Sequence, residues 1–205
     1  MVTREQTGFQ PHFEIERRFL VEDDDVWYQA PDSYHIIQAY SFERDGFTSR
    51  IRLIQEADSF GEWATVAATA GLKGPRVSAT RRMHEVPLTD LELAEDVVKR
   101  SPYVVEKTRY PIANLDGNPW VFDVFEGENT GLVIAEIEGG NADSLLALPL
   151  PPWATKDVTS RQWYNNEWLA LFPMRGRWKD GSEFRRRMIE ESETLGEFES
   201  DDPFL

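Results

Sequence analysis

The segment FEIERRFLV, residues 13–21, alternates charged and apolar side chains in the way a β-strand does. Successive side chains of a strand point to opposite faces, so Glu14, Glu16 and Arg18 share one face, opposite an apolar one. Two carboxylates side by side repel each other unless basic groups or a cation compensate them. A chain with this strand therefore needs positive charge over its charged face.

Seven further segments show a similar alternation, so the sequence predicts eight strands. Turn sequences such as Asp45-Gly46 and Asp116-Gly117 connect several of them, which favours antiparallel hairpins. We therefore expect an α+β protein with a mainly antiparallel sheet. The predicted strands are residues 13–21, 35–43, 47–55, 62–73, 80–86, 103–112, 120–126 and 132–138.

Two helices are predicted between or after these strands. Thr89 and Glu92 have the spacing of a capping box, which predicts the start of a helix that includes Val98. A second helix is predicted from about residue 160 to residue 172. The apolar faces of the strands require such covering elements.

The composition changes beyond Pro173. A basic stretch is followed by residues 190–202, which hold seven acidic and no basic side chains. We predict one folded domain over residues 12–172 and a charged tail over residues 173–205, partly helical and disordered at its end. A solvated tail is the simpler interpretation, and a regulatory lid is the alternative.

The overall charge narrows the possible partners. The chain has 37 acidic and 22 basic residues and a net charge of -15, which disfavours duplex nucleic acid. It has no cysteine, so a metal would be held by oxygen or histidine ligands. With no apolar signal segment and no run of the roughly 20 apolar residues that span a bilayer, we expect a cytoplasmic protein.

Charge recurs on one face of the other predicted strands. If the sheet closes into a barrel, its basic side chains can hold a multiply charged anion and its carboxylates can hold Mg²⁺ or Mn²⁺, as for a polyphosphate. Alternatively, the acidic and basic side chains simply pair, although ion pairs buried without a ligand usually cost more than apolar packing. The strands place together Arg50 with Arg52, Lys107 with Arg109, and Glu136 with Glu138, while Asp123 stands alone.

The order of these motifs resembles the CYTH domain, the fold of the triphosphate tunnel metalloenzymes. The resemblance covers roughly residues 12–172, and the combination is more specific than any one motif. FEIERRFLV resembles the ExExK signature of that family. The remaining matches are SRIRLI, GLKG, EKTRY, FDVFEGENTGLVIAEIE and the closing PPWATKDVTSRQWYNNEWLA.

The resemblance implies an eight-stranded antiparallel closed β-barrel with covering helices, which binds a triphosphate and hydrolyses or rearranges it with Mg²⁺ or Mn²⁺. It implies a first metal site at Glu14, Glu16 and Glu136. It places Glu138, Asp123 and Glu85 around a second metal or the attacking water. It assigns the phosphate oxygens to Arg18, Arg50, Arg52, Lys73, Lys107 and Arg109.

Three positions depart from the family pattern. Arg18 replaces the signature lysine, which keeps the charge but cannot act as a base. Met83 and Val121 stand where acidic residues are common, which weakens the second metal site. These departures leave open a polyphosphate- or triphosphate-binding module with little turnover.

The expected activity is hydrolysis of inorganic tripolyphosphate. Thiamine triphosphate hydrolysis and class IV adenylate cyclase activity are the alternatives that related proteins suggest. No contacts for a base and ribose can be identified in the sequence, so the cyclase ranks below tripolyphosphate hydrolysis. The expected partner is a small-molecule triphosphate, and the expected assembly is a monomer or homodimer.

Overall fold

The computed structural model describes residues 12–22, 26–139 and 141–175. All eight predicted strands are present, and a short ninth strand follows them. The strands are β1 (His12–Val21), β2 (Tyr34–Arg44), β3 (Phe47–Ala57), β4 (Trp63–Val77), β5 (Thr80–Leu88), β6 (Val104–Leu115), β7 (Asn118–Phe125), β8 (Val133–Glu138) and β9 (Ala154–Asp157). The α-helices in these ranges are α1 (Leu91–Arg100), α2 (Ala142–Leu146) and α3 (Asn166–Leu171), and short 3₁₀ turns occupy Trp27–Gln29, Gly127–Asn129 and Gln162–Tyr164.

Eight of these strands close into a barrel. Their order is β5-β4-β3-β2-β6-β7-β8-β1, and β1 pairs back with β5 to complete the ring. Each neighbouring pair is antiparallel, and β9 adds to the last part of β1, next to Phe19 and Leu20. The expected eight-stranded antiparallel closed β-barrel is confirmed.

The outer face of the barrel carries the main apolar core. Phe19 and Phe122 are fully buried and pack in one cluster with Trp120 and Trp153, whose rings meet edge to face at 4.8 Å between centroids. On the other side, α1 covers β3 and β4 through its buried Val98. Burying such side chains provides the dominant favourable free energy of folding. The charged faces of the strands are therefore left to the interior.

The segment after β9 packs over one end of the barrel. The inward-facing side chains there are apolar, and Val105, Phe125 and Ile134 share one buried cluster with Trp163 and Leu169. Apolar side chains therefore fill one end of the barrel interior. The charged side chains occupy the remaining space.

Two helix predictions need correction. The α1 helix begins after Asp90, whose carboxylate accepts a hydrogen bond from the Leu93 amide at 3.0 Å, so the predicted Thr89–Glu92 capping box is wrong. An aspartate at this position satisfies the free amides of the first turn. The predicted helix from 160 to 172 is a 3₁₀ turn followed by α3, with Asn165 between them.

The predicted tail begins at residue 173, and its residues from 176 onward lie outside the described ranges. The domain boundary stays a prediction. Within the part of the chain that the structure describes, no helix is both long enough and apolar enough to cross a bilayer.

Candidate active site

The barrel encloses a cavity of about 280 Å³ with charged and polar walls. Antiparallel pairing carries the charged faces of distant strands inward, so ten of the twelve predicted site residues line it. Met83, which departs from the family pattern on β5, also lines the cavity. The ten are Glu14, Glu16, Arg18, Arg50, Arg52, Lys73, Glu85, Arg109, Glu136 and Glu138.

Lys107 and Asp123 lie behind the cavity wall and are fully buried. Arg109 donates to Asp123 from Nε at 2.6 Å and from Nη2 at 2.7 Å, and Lys107 Nζ donates to the same carboxylate. Burial opposes ionisation of Asp123, yet Arg109 and Lys107 together hold its pKa well below the usual range. Both oxygens are thus bound to cations, and the metal-binding and catalytic roles expected for Asp123 stay predictions.

Three carboxylates form an acidic cluster, consisting of Glu14, Glu16 and Glu138. One oxygen of each lies within 4.8 Å of those of the other two. The pKa of Glu138 is raised by partial burial and by the negative charges of Glu16 and Glu14. Carboxylate oxygens gathered in this way suit hard cations such as Mg²⁺ and Mn²⁺. The donor set therefore fits the divalent cation that the resemblance implies.

The cluster differs in one member from the expected first metal site. Glu138 joins Glu14 and Glu16, whereas Glu136 accepts a hydrogen bond from Arg109 Nη2 at 2.9 Å. Burial and the nearby charge of Asp123 raise the pKa of Glu136. The parity rule correctly placed both glutamates on the interior face, but it could not say which one faces β1's carboxylates.

Basic side chains of the protein already compensate the negative charge of the acidic cluster. Lys73 Nζ donates to both oxygens of Glu14, at 2.6 and 2.8 Å, and Arg76 Nη2 donates to Glu16 at 2.5 Å. Although burial opposes ionisation, Arg76 and Arg18 lower the pKa of Glu16 to about 2. Burial and the adjacent Arg50 lower the pKa of Lys73 to about 8. The pairing expected as the alternative to a ligand site is therefore present alongside the cavity.

Arginines suited to anion binding also line the cavity. Arg50 donates to Gln38 Oε1 and to Glu85 Oε2, each at 2.7 Å. The Nε atoms of Arg50 and Arg18 are buried and, within the described residues, have no hydrogen-bond partner. A planar guanidinium with a free donor can bind a phosphate oxygen. Gly71 leaves room here, since a Cβ would lie 3.5 Å from Arg50 Nε.

Arg18 also ties the first strand to the C-terminal segment. Its Nη1 donates to the Tyr164 carbonyl at 3.0 Å and its Nη2 donates to the Thr159 carbonyl at 3.1 Å. A lysine could not make these two bonds in the same geometry, because its single ammonium replaces a planar fork. The departure from the signature lysine thus has a structural use.

Sequence reasoning missed several cavity residues. Arg81 shares the parity of Met83 and Glu85, so the alternation of β5 was a sufficient signal. Arg76 carried no such signal, because it lies three residues after Lys73 and a regular strand would place the two on opposite faces. The missed residues from the C-terminal segment are Asn165, Asn166 and Glu167.

A bulge in β4 explains the position of Arg76. Lys73 pairs with Met83 and Arg76 pairs with Arg81, so the register shifts by one residue between the two pairs. The extra residue reverses the alternation and returns Arg76 to the interior. Arg81 in turn pairs with Glu167 of α3 at 2.8 Å, which fixes the C-terminal segment to the barrel wall.

No family model matches this sequence. Over 160 residues the chain is 29% identical to an inorganic triphosphatase of Acetivibrio thermocellus, which covers 78% of this chain and 94% of that protein. An inorganic triphosphatase of Nitrosomonas europaea is 40% identical over 67 residues, 33% of this chain and 44% of that protein. The solved structure of the inorganic triphosphatase NE1496 is 27% identical with a TM-score of 0.52, and the match covers 83% of this chain and 96% of that one.

These similarities extend over nearly the full length of the Acetivibrio protein and of the solved structure. They coincide with an eight-stranded closed barrel whose interior gathers the acidic and basic motifs in one cavity. In sequence and in fold the chain is thus similar to inorganic triphosphatases, in agreement with its resemblance to the triphosphate tunnel metalloenzymes.

Proposed function

We propose that this protein hydrolyses a terminal phosphoanhydride bond of inorganic tripolyphosphate in the barrel cavity, with Mg²⁺ or Mn²⁺. The observation that carries the proposal is the enclosure, in one cavity, of a three-carboxylate cluster and a wall of basic side chains. The triphosphatases of Acetivibrio and Nitrosomonas support the same reaction.

The size of the cavity supports an inorganic substrate. Its volume of about 280 Å³ lies just below the roughly 300–1,000 Å³ typical of ligand pockets. A triphosphate chain needs charge compensation along its length, and basic side chains line the cavity from several strands. Space and charge together favour a substrate without a base or a ribose.

We assign the phosphate oxygens to the basic residues that reach the cavity. Among the described residues, Arg50 Nε has no hydrogen-bond partner, and Arg18 Nε has only the Glu16 carboxylate nearby, at 3.6 Å. Arg52 lies near Arg50, and burial together with Arg50 lowers its pKa. Bidentate contacts from such guanidinium groups fix the orientation of a phosphoryl group as well as its charge. The proposed phosphate-binding set is Arg18, Arg50, Arg52, Lys73 and Arg109.

Glu14, Glu16 and Glu138 are the residues that would hold the divalent cation. When bound, it supplies neutralisation of phosphoryl charge and orientation of an attacking water. Glu138 is the exposed member of this cluster, so we also assign it to accept the proton of that water as the oxygen attacks phosphorus and the bond to the leaving pyrophosphate breaks. Glu85 is held by Arg50, so we assign it to positioning that arginine.

The test is phosphate release from tripolyphosphate by the full chain with Mg²⁺ or Mn²⁺. We expect release that EDTA abolishes and that a Glu14→Gln, Glu16→Gln double variant loses by at least about a hundredfold. A Glu92→Gln, Glu95→Gln double variant is the matched control, because it removes the same charge from exposed positions of α1. Its rate should equal that of the wild type.

One alternative has a specific observation in its favour. Met83 lines the cavity where the family commonly has an acidic residue, as a binding module with little turnover would allow. Calorimetric binding of tripolyphosphate without phosphate release would support that alternative. Faster release from thiamine triphosphate, or pyrophosphate formation from ATP, would instead change the substrate assignment.

A further inference from the structure

Arg76 is a cavity residue that neither strand alternation nor the family resemblance assigned. Its Nη2 atom lies 2.5 Å from Glu16 Oε1 and 3.8 Å from Glu14 Oε2, and Nη1 donates to the Ala79 carbonyl at 3.4 Å. The side chain is 12% exposed. One guanidinium therefore contacts two of the three carboxylates that form the acidic cluster.

The bulge in β4 turns the Arg76 side chain toward the cluster. It shifts the register between Lys73 and Arg76, and the segment between them is Gly74-Pro75. Proline has a fixed φ angle, and β-bulges re-aim the side chains that follow them. Arg76 thus reaches the cluster from the rigid wall of the barrel.

We infer that Arg76 is a tethered cation that competes with the divalent cation for Glu14 and Glu16. The inference rests on the proposed function, which places a divalent cation at these carboxylates. A cation coordinated by the two glutamates would bring two positive charges beside a guanidinium that cannot lose its proton. The guanidinium must therefore move away before the carboxylate oxygens are free to coordinate.

Arg76 has a donor nitrogen that makes no hydrogen bond in its present contacts. Its Nε atom is buried and, among the described residues, has no hydrogen-bond partner. A triphosphate in the cavity offers anionic oxygens to a guanidinium displaced from Glu16. Substrate would thus relieve the competition, and triphosphate and divalent cation would favour each other's binding by the same factor.

The test measures Mn²⁺ affinity by calorimetry on the full chain without any triphosphate. We expect Arg76→Gln to bind Mn²⁺ about tenfold more tightly than the wild type, which corresponds to about 1.4 kcal/mol. Arg82→Gln is the matched control, because Arg82 is exposed, does not line the cavity and carries the same charge. Its Mn²⁺ affinity should equal that of the wild type.

Equal or weaker Mn²⁺ binding in Arg76→Gln would overturn the inference, and so would a failure of both proteins to bind. If Arg76→Gln does not fold, the wild type still provides a test. The Nε–H signal of Arg76 in an NMR spectrum, assigned by its loss in Arg76→Lys, should shift as Mg²⁺ is added. An unchanged signal at saturating Mg²⁺ would overturn the inference.

Phosphate release separates this inference from the proposed function. Tighter Mn²⁺ binding in Arg76→Gln, together with no release from tripolyphosphate by any variant, would support the competition and reject the activity. Phosphate release by the wild type, together with an unchanged Mn²⁺ affinity in Arg76→Gln, would support the activity and reject the competition.

Discussion

Arg109 forms a bidentate ion pair with the fully buried carboxylate of Asp123, with Nε donating to Oδ1 at 2.6 Å and Nη2 donating to Oδ2 at 2.7 Å. Lys107 donates to the same group from within the wall. The arrangement neutralises charge behind the cavity and holds Arg109 toward Glu136. Its strength follows from burial, because a charge that loses its partner inside a protein cannot recover its hydration.

We expect Asp123→Asn to lower the free energy of unfolding by about 3–5 kcal/mol, since it removes the carboxylate partner of the buried Lys107 and leaves Arg109 paired with Glu136 alone. Urea denaturation measures this loss. Asp116→Asn is the control, because Asp116 is exposed in a turn, and it should change stability by less than about 0.5 kcal/mol. Normal stability with lost metal affinity would instead return Asp123 to the metal site.

Arg18→Lys restores the family's signature residue, yet we expect it to destabilise the protein by about 1–3 kcal/mol. A single ammonium cannot reproduce the forked geometry in which Nη1 and Nη2 donate to the Tyr164 and Thr159 carbonyls, so the attachment of the C-terminal segment to β1 is weakened. Thermal unfolding checks the prediction, with phosphate release measured on the same samples. A large gain in turnover at unchanged stability would argue that Arg18 limits catalysis.

The ion pair between Arg17 and Asp157 should make the free energy of unfolding depend on pH in the acidic range. Burial opposes ionisation of Asp157, but donation from Thr159 and Arg17 lowers its pKa below the usual value. A lowered folded-state pKa gives stability that is complete above the unfolded pKa of about 3.9 and is lost as the pH falls through the folded pKa.

Asp157→Asn should therefore cost about 1 kcal/mol near pH 7, because the carboxylate is partly exposed, and the cost should shrink on acidification below about pH 4. Denaturation of both proteins from pH 7 to pH 3 measures the difference. A difference that stays constant across this range would show that Asp157 does not act through its charge.

Gly71→Ala should weaken substrate binding with little change in fold. An added Cβ would lie in tight contact with Glu85 Oε2, at 3.3 Å, and in ordinary contact with Arg50 Nε, at 3.5 Å, so it would press on the carboxylate that accepts a hydrogen bond from Arg50. We expect KM for tripolyphosphate to rise by about tenfold, or about 1.4 kcal/mol. Gly74→Ala is the control, because the nearest atom to its Cβ would be 3.7 Å away. Equal KM values for both variants would contradict this role.

Strand alternation predicted most of the barrel and most of its site, because a period of two assigns each side chain to a face. It failed where the period breaks, at the β4 bulge that turns Arg76 inward. Strand alternation also cannot predict how deeply an inward-facing side chain is buried. It therefore did not distinguish the fully buried Lys107 and Asp123 from the cavity-lining Arg109. Those differences depend on packing between strands, which no local pattern contains.

Contacts between distant segments were equally hidden. Asn165 and Glu167 reach the cavity only because the segment after β9 returns over the end of the barrel. The family resemblance included these residues in the closing sequence motif but did not predict where they lie in the barrel. Local turn chemistry also has competing solutions, as Asp90 shows by capping α1 in place of Thr89.

The closure of the barrel by β1 has a consequence for how the chain folds. The first described strand pairs with β5 on one side and with β8 on the other, where Glu16 meets Glu138 over a long separation in sequence. Contacts between such distant residues form late, since the entropy of a large loop is lost before they stabilise it. Until β8 has been synthesised, β1 lacks its second partner, and the growing sheet has open edges that can pair with other chains. Synthesis and refolding of this protein should therefore be most vulnerable to aggregation just before the ring closes.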